Sequence, residues 1–299
     1  MMIWDVSPVL LDFGPVEIRW YSLLFACGVM GYYFLTRWLW KRRGFADGDF
    51  DIVIGLLFVG MVVGARLGEI FFYHPGYYLS EPLEILKIWK GGLASHGATI
   101  GLLVAYTSFW LWKRKGGGAG MKSEDDVAKG GADGDPAKMG GGFFDYVDVL
   151  VVGMPLVAGF VRLGNFFNSE IVGRAWEWGV VFVQNGEDFA RHPVQLYEML
   201  LAWAVFGVLI WFGRRDFGGG RGERRLAKGS YLFLFVGLYF AGRFVLEFFK
   251  EYQVLPDSGG WAMGLTMGQV LSVVPVLIAV GWFLWRRKRK GLSEGSDVV

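Results

Sequence analysis

Apolar positions run along this chain in seven blocks of about twenty residues, each closed by a short polar stretch. A helix needs roughly 20 apolar residues to cross a bilayer. The blocks predict helices at about 18–40, 51–73, 91–112, 144–163, 194–213, 230–249 and 265–285. The expected fold class is therefore all-α: a polytopic membrane protein with seven transmembrane helices.

The polar stretches give that array a direction. The segments that follow the first, third, fifth and seventh blocks hold 20 of the 30 Lys and Arg residues. All four fall on one side of a seven-span chain, and the positive-inside rule makes that side cytoplasmic. The N-terminus is then outside and the C-terminus inside. The organisation that follows is an extracytoplasmic segment 1–17, a seven-helix domain 18–285 with a small external cap at about 164–193, and a basic cytoplasmic tail 286–299. The stretch 116–142, rich in Gly, Lys and Asp, buries too little to fold and reads as a disordered cytoplasmic insert. The first residues lack a basic leader, and Asp5, Pro8, Asp12, Pro15 and Glu17 interrupt any signal-peptide core.

Composition agrees: 54% of residues are hydrophobic and only 19% charged. The lone Cys27 reads as packing inside the first block. Basic residues read as orientation signals, with anionic lipid a secondary contact at 286–290, and no nucleic-acid partner is expected. Among the remaining basic residues, Lys250 and Arg174 are placed at the outer interface.

Three arginines, Arg66, Arg162 and Arg243, fall within or at the edge of spans, where a charge is costly and marks function. With the predicted directions, all three lie in the outer half, at the level of Tyr21, His96, Gln195, Tyr197 and Glu198. Each has a plainer reading. Arg66 with Glu69 and Arg243 with Glu247 have the spacing of intrahelical pairs, Tyr21 suits an aromatic belt, His96 a Gly-rich turn, and Asn165 and Asn168 a helix end. Together, however, three guanidinium groups at one depth need an anion, and their forks suit phosphate. In the outer leaflet that anion is most simply a phospholipid headgroup. No cluster has metal-ligand spacing, so neither metal nor cofactor is expected. A transporter using the same arginines is the alternative, although the internal repeats and broken midplane helices of transporters are missing. No Gly-x-Ser-x-Gly elbow supports a hydrolase.

The blocks "RWYSLLFACG", "GARLGEIFFY", "GGLASHGATIG", "FVRLGNFFNSEIVGR", "RHPVQLYE", "GRFVLEFFK" and "LTMGQVLS" resemble, in order and nearly end to end, the prolipoprotein diacylglyceryl transferase family. The resemblance implies transfer of the diacylglyceryl group of phosphatidylglycerol to the lipobox cysteine thiol of a preprolipoprotein, releasing glycerol 1-phosphate, at the outer side of the bacterial inner membrane. The family's critical residues match Tyr21, His96, Arg162, Asn165, Glu170 and Gly173, then Arg243 and Glu247, with Arg66 as its arginine of the second span. On this reading the thiol proton goes to His96, or to Glu170 or Glu247. Arg162 and Arg243 stabilise charge on the departing phosphate, and Tyr21, Asn165, Asn168 and Arg66 bind the headgroup. Glu170 and Glu247 alternatively orient the arginines, and Gly173 permits close approach. Departures are small: Ala98 follows Gly97 where the family has a second glycine, and Phe160-Val161 precede Arg162 where it has glycine.

Overall fold

The described residues are mostly helix, with four short strands among them. The computed structural model describes residues 2–14, 17–88, 91–117, 142–216, 226–251 and 265–295. The chain divides into two compact units, one formed by Met1–Leu39 with Phe144–Val299 and the other by Trp40–Phe143. Every predicted span is helical. Five helical stretches are long and apolar enough to cross a membrane: Asp47–Phe72, Phe143–Phe167, Val194–Arg214, Ser230–Phe249 and Met267–Arg289. The first and third predicted spans are helices of 23 and 20 residues. They fall short by composition, because Trp, Tyr, Gly and terminal basic residues dilute their aliphatic content.

In the smaller unit, helix α2 (Asp47–Phe72) carries Asp47 and Asp49 in its first turn, where they suit the helix dipole. It stops before Pro75, which opens the short α3 (Pro75–Ser80). Helix α4 (Ser95–Arg114) returns with Lys113 and Arg114 in its last turn. The two long helices meet through backbone: a β-carbon added to Gly64 or Gly101 would strike the opposite helix's glycine backbone, and Gly60, Gly68 and Gly97 are equally crowded. This four-residue spacing of glycines is the small-residue packing that lets membrane helices touch closely. A buried ion pair, Lys113 Nζ to Asp49 Oδ2 at 2.7 Å, ties the basic end of α4 to α2. At the other end Arg66 is only 5% exposed. Its Nε donates to the Ile85 carbonyl at 3.0 Å, one terminal nitrogen to Gly91 and Gly92 at 2.8 and 3.1 Å, and the other to the Glu84 carbonyl. Its guanidinium also lies over the Tyr78 ring, 4.8 Å from the centroid.

In the larger unit, α1 (Trp20–Arg42) follows a hairpin of β2 (Val9–Asp12) and β3 (Glu17–Arg19). After α5 (Phe143–Leu150) a single tighter turn, Val151–Gly153, leads into α6 (Met154–Phe167), whose first turn accommodates Pro155. Then come β4 (Ala175–Phe182), α7 (Val194–Asp216), α8 (Ser230–Leu246) and α9 (Met267–Gly295). Asp148 of α5, fully buried, accepts the Gly229 and Leu232 amides at 2.7 and 3.1 Å and so caps the start of α8. The strands are an addition to the all-helical expectation: β1 (Met2–Trp4) pairs in parallel with β4. The cap is therefore built jointly from the first residues and 175–182, with Trp4 against Phe166 at 4.4 Å between ring centroids. Cys27, expected in the packing, faces outward. The predicted insert 116–142 lies outside the described residues except at its ends. The basic tail continues α9 as far as Gly295, and 296–299 lie outside the described residues.

Two outcomes follow from the smaller unit. Gly64→Leu forces α2 and α4 apart and lowers stability by about 1–3 kcal/mol, the usual cost of overpacking, read as a drop in the thermal midpoint of the detergent-purified protein. Arg66→Lys keeps the charge but has one nitrogen where four carbonyls need donors, so amide hydrogen exchange across 81–94 should speed up about tenfold or more, as loss of one or two hydrogen bonds requires. Unchanged exchange would show that the segment holds itself.

Candidate functional site

Helix α6 runs past Arg162, where the sequence placed the end of the span, to Phe167. The chain then makes a turn in which Ser169 and Ile171 both have φ of 56°. Left-handed backbone is uncommon outside glycine and is costlier still for β-branched Ile171. Three sets of bonds over-determine the turn. The amides of Asn168, Ser169 and Glu170 donate to Gly164, Phe166 and Asn165 carbonyls at 2.9–3.0 Å. Asn185 donates its side-chain amide to the Ser169 carbonyl at 2.9 Å, and buried Gln195 does the same to the Glu170 carbonyl at 2.6 Å. The result is an outward-facing carboxylate held by both oxygens, with Asn165 Nδ2 on Oε2 at 3.1 Å and Asn168 Nδ2 on Oε1 at 3.2 Å.

Arg162 stands one turn before Asn165 and sends one terminal nitrogen toward its Oδ1 at 3.4 Å. Its Nε meets Glu198 Oε2 at 3.0 Å. That contact is an ion pair without a hydrogen bond on Glu198 Oε2, so Arg162 makes one hydrogen bond among the described residues and its other terminal N–H groups are open. Tyr21, at the start of α1, lies against Gly164, where a β-carbon would sit 2.7 Å from the ring. Tyr21, Arg162, Asn165, Asn168 and Glu170 thus form one group.

Arg243 lies in the last turn of α8 and makes no hydrogen bond or ion pair among the described residues. The intrahelical alternatives are overturned. Glu247 pairs with Lys250 at 3.3 Å rather than with Arg243, and Glu69 takes His74 at 2.8 Å rather than Arg66. Lys250, expected at the interface, has a side chain only 12% exposed and also meets Glu198 Oε1 at 2.7 Å. The sequence reading put Gln195 and Glu198 at the level of the arginines without giving them a role, set Lys250 at the interface, and left out Gly268. Their signal was available, since each lies inside one of the blocks that carry the resemblance, and Glu247 and Lys250 stand three apart on one helical face.

Gly173 has a packing reason. A β-carbon there would lie 2.6 Å from the His192 carbonyl and 2.5 Å from Val194. Its amide donates to that carbonyl at 3.0 Å and its own carbonyl accepts from Arg191 at 3.1 Å. His192, stacked on Trp176 with centroids 4.3 Å apart, is held below the usual imidazole range by burial and then by the Arg174 charge. It is therefore neutral and serves as a packed ring at neutral pH. Arg66 and His96 belong to the other unit. His96 is exposed at the second position of α4 and makes no bond to a described residue. Arg66 has four of its five N–H groups committed to carbonyls. Among the described residues no group of three or more His, Cys, Asp or Glu could hold a metal ion.

Chemically, the group in the larger unit sets the open N–H groups of Arg162 beside a carboxylate held by two asparagines. Comparison with known proteins identifies the lineage. The family described as "Prolipoprotein diacylglyceryl transferase" matches residues 8–122 and 137–285, and the unmatched gap falls inside the Gly- and Lys-rich stretch. A protein of Tolumonas auensis named phosphatidylglycerol–prolipoprotein diacylglyceryl transferase is 36% identical over 97% of this chain and 99% of its own. Proteins of the same name from Chloroherpeton thalassium and Cupriavidus pinatubonensis are 35% and 34% identical, covering 99% and 96% of this chain and 98% and 94% of theirs. On the strength of matches that run from one end to the other, the chain belongs to the prolipoprotein diacylglyceryl transferase family.

Proposed function

We propose that this chain transfers the diacylglyceryl group of phosphatidylglycerol to the lipobox cysteine of a preprolipoprotein. The observation that carries the reading is the posture of Arg162. One edge is ion-paired with Glu198 and the terminal N–H groups beyond the one on Asn165 are left open, next to a carboxylate hydrogen-bonded by two asparagines. In the reaction the thiol loses its proton and the sulfur forms a bond to the terminal glyceryl carbon. The carbon–oxygen bond to phosphate breaks, and glycerol 1-phosphate departs with the electron pair. Negative charge grows on the phosphate, where donors already in place stabilise the transition state more than the bound lipid.

Arg162 takes the phosphate through its open edge, and Arg243, with no protein partner among the described residues, is the second cation. Asn165 and Tyr21 contact the phosphate or the headgroup glycerol, with Asn168 supporting through Glu170. Gly173 contributes by admitting His192 and Val194 at close range. Arg66 is assigned to the loop instead, because its donors are already engaged. His96 is the proton acceptor in this reading, and Glu170, exposed and already hydrogen-bonded twice, is the alternative. The same reading takes α1 and α4 as spans, giving seven, with the N-terminus outside, the C-terminus cytoplasmic and the site opening outward from the bacterial inner membrane. The concentration of Lys and Arg on one set of connections supports that orientation.

The test is transfer from phosphatidylglycerol to a synthetic lipobox peptide, followed as the peptide's mass gain. Arg162→Lys keeps charge but loses the fork, and should lower the rate about 100-fold, the usual loss for one oxyanion donor. Arg162→Ala with transfer within about twofold of the parent would remove the phosphate role. His96→Gln should lower the rate about 100-fold or more, the usual loss for a general base, and a rate within about twofold of the parent would transfer the base assignment to Glu170.

A further inference from the structure

Glu198 is a carboxylate with 3% of its surface exposed, in the second turn of a membrane helix. Unpaired, such a charge costs several kcal/mol. Two cations meet it, one on each oxygen: Arg162 Nε at 3.0 Å and Lys250 Nζ at 2.7 Å. Lys250 reaches on to Glu247 Oε2 at 3.3 Å. The Glu247 carboxylate in turn lies over Gly268 in the first turn of α9, where a β-carbon would sit 2.5 Å from Oε1 and 2.6 Å from Oε2. A row of alternating charges therefore joins α6, α7, the end of α8 and the start of α9, with glycine at its end because only glycine fits.

We propose that Glu198 and Lys250 are positioning residues for Arg162: Glu198 fixes the direction of its open edge, and Lys250 keeps its charge available to an anionic lipid. The proposal rests on the transferase reading. Glu198 draws the Nε edge by charge, without a hydrogen bond on its Oε2, and so turns the terminal nitrogens away from α7. By itself it would also cancel the arginine's charge. Lys250 shares Glu198, so the arginine's field at a phosphate survives, while Glu247 balances the added lysine. The two residues thus act on different quantities, one on alignment and the other on attraction.

That division has separate kinetic signatures. In mixed micelles of phosphatidylglycerol with a lipobox peptide, Lys250→Met leaves the whole Glu198 charge on Arg162. The KM for phosphatidylglycerol should rise about tenfold, with the KM for the peptide unchanged. Lys250→Arg should restore it to within about threefold, since the charge returns. Glu198→Gln leaves Arg162 charged but unpinned, so kcat should fall about tenfold or more with little change in KM. Gly268→Ala, which displaces Glu247 without removing a charge, should lower kcat about threefold through the same row, and it carries the comparison if Lys250→Met cannot be purified folded. A folded Lys250→Met with the parent's KM overturns the proposal, as do failure of Lys250→Arg to rescue or a Glu198→Gln with the parent's kcat. If the parent itself forms no thioether-linked peptide, the transferase reading fails and the proposal falls with it. An active parent with unaffected variants refutes the positioning role alone.

Discussion

A buried carboxylate shared by two cations governs the larger unit. Glu198 cannot sit in α7 without compensation, because the Born cost of a charge in a low-dielectric interior exceeds what a single imperfect pair returns. Arg162 of α6 and Lys250, just past the end of α8, supply that compensation from positions remote in sequence. Once they do, the ends of α6, α7 and α8 are joined, and the turn after α6 gains a fixed base. Residues 168–173 can then hold two left-handed conformations, because the helix end beneath them cannot drift. The site is rigid for electrostatic reasons first and for packing reasons second.

The cap adds a different restraint. Apolar side chains from β1, β4 and the end of α6 form a small core of Trp4, Phe166, Val180 and Phe182. This core presses the strand down on the turn, and Asn185 and Gln195 reach from either side of it to the Ser169 and Glu170 carbonyls. Buried carbonyls in a turn need partners, and here amide side chains provide them. The direction of Glu170 is therefore set by the chain path rather than by a choice of rotamer.

Much of this was legible in the primary structure. Apolar block length located every long helix to within about four residues, save that α9 runs on past the expected 285 to Gly295, because twenty-residue hydrophobicity is a requirement of the bilayer rather than a preference of the chain. The end of α6 was placed four residues early, at 163 instead of 167, because Arg162 and Asn165 look like a boundary when helical hydrogen bonding continues beneath them. Arg66 illustrates the opposite limit. A charged residue in a span does signal an unusual environment, yet its partners are backbone carbonyls 18 to 26 positions away. Carbonyls leave no trace in a residue string. Lys250 was set aside because a lysine near a span end usually snorkels to water. Only the fold brings it under Glu198. The strands of the cap were missed for the same reason, since three-residue segments carry no periodicity to read.

The glycine seam between α2 and α4 has a bearing on how a lipid travels. From Gly60 to Gly68 the two backbones touch, with Gly97 and Gly101 filling the space where side chains would otherwise stand. An acyl tail is about as wide as the gap that those missing side chains would have opened. Nothing that thick can slip sideways between these two rods. Between α2 and α4 this seam is therefore a wall.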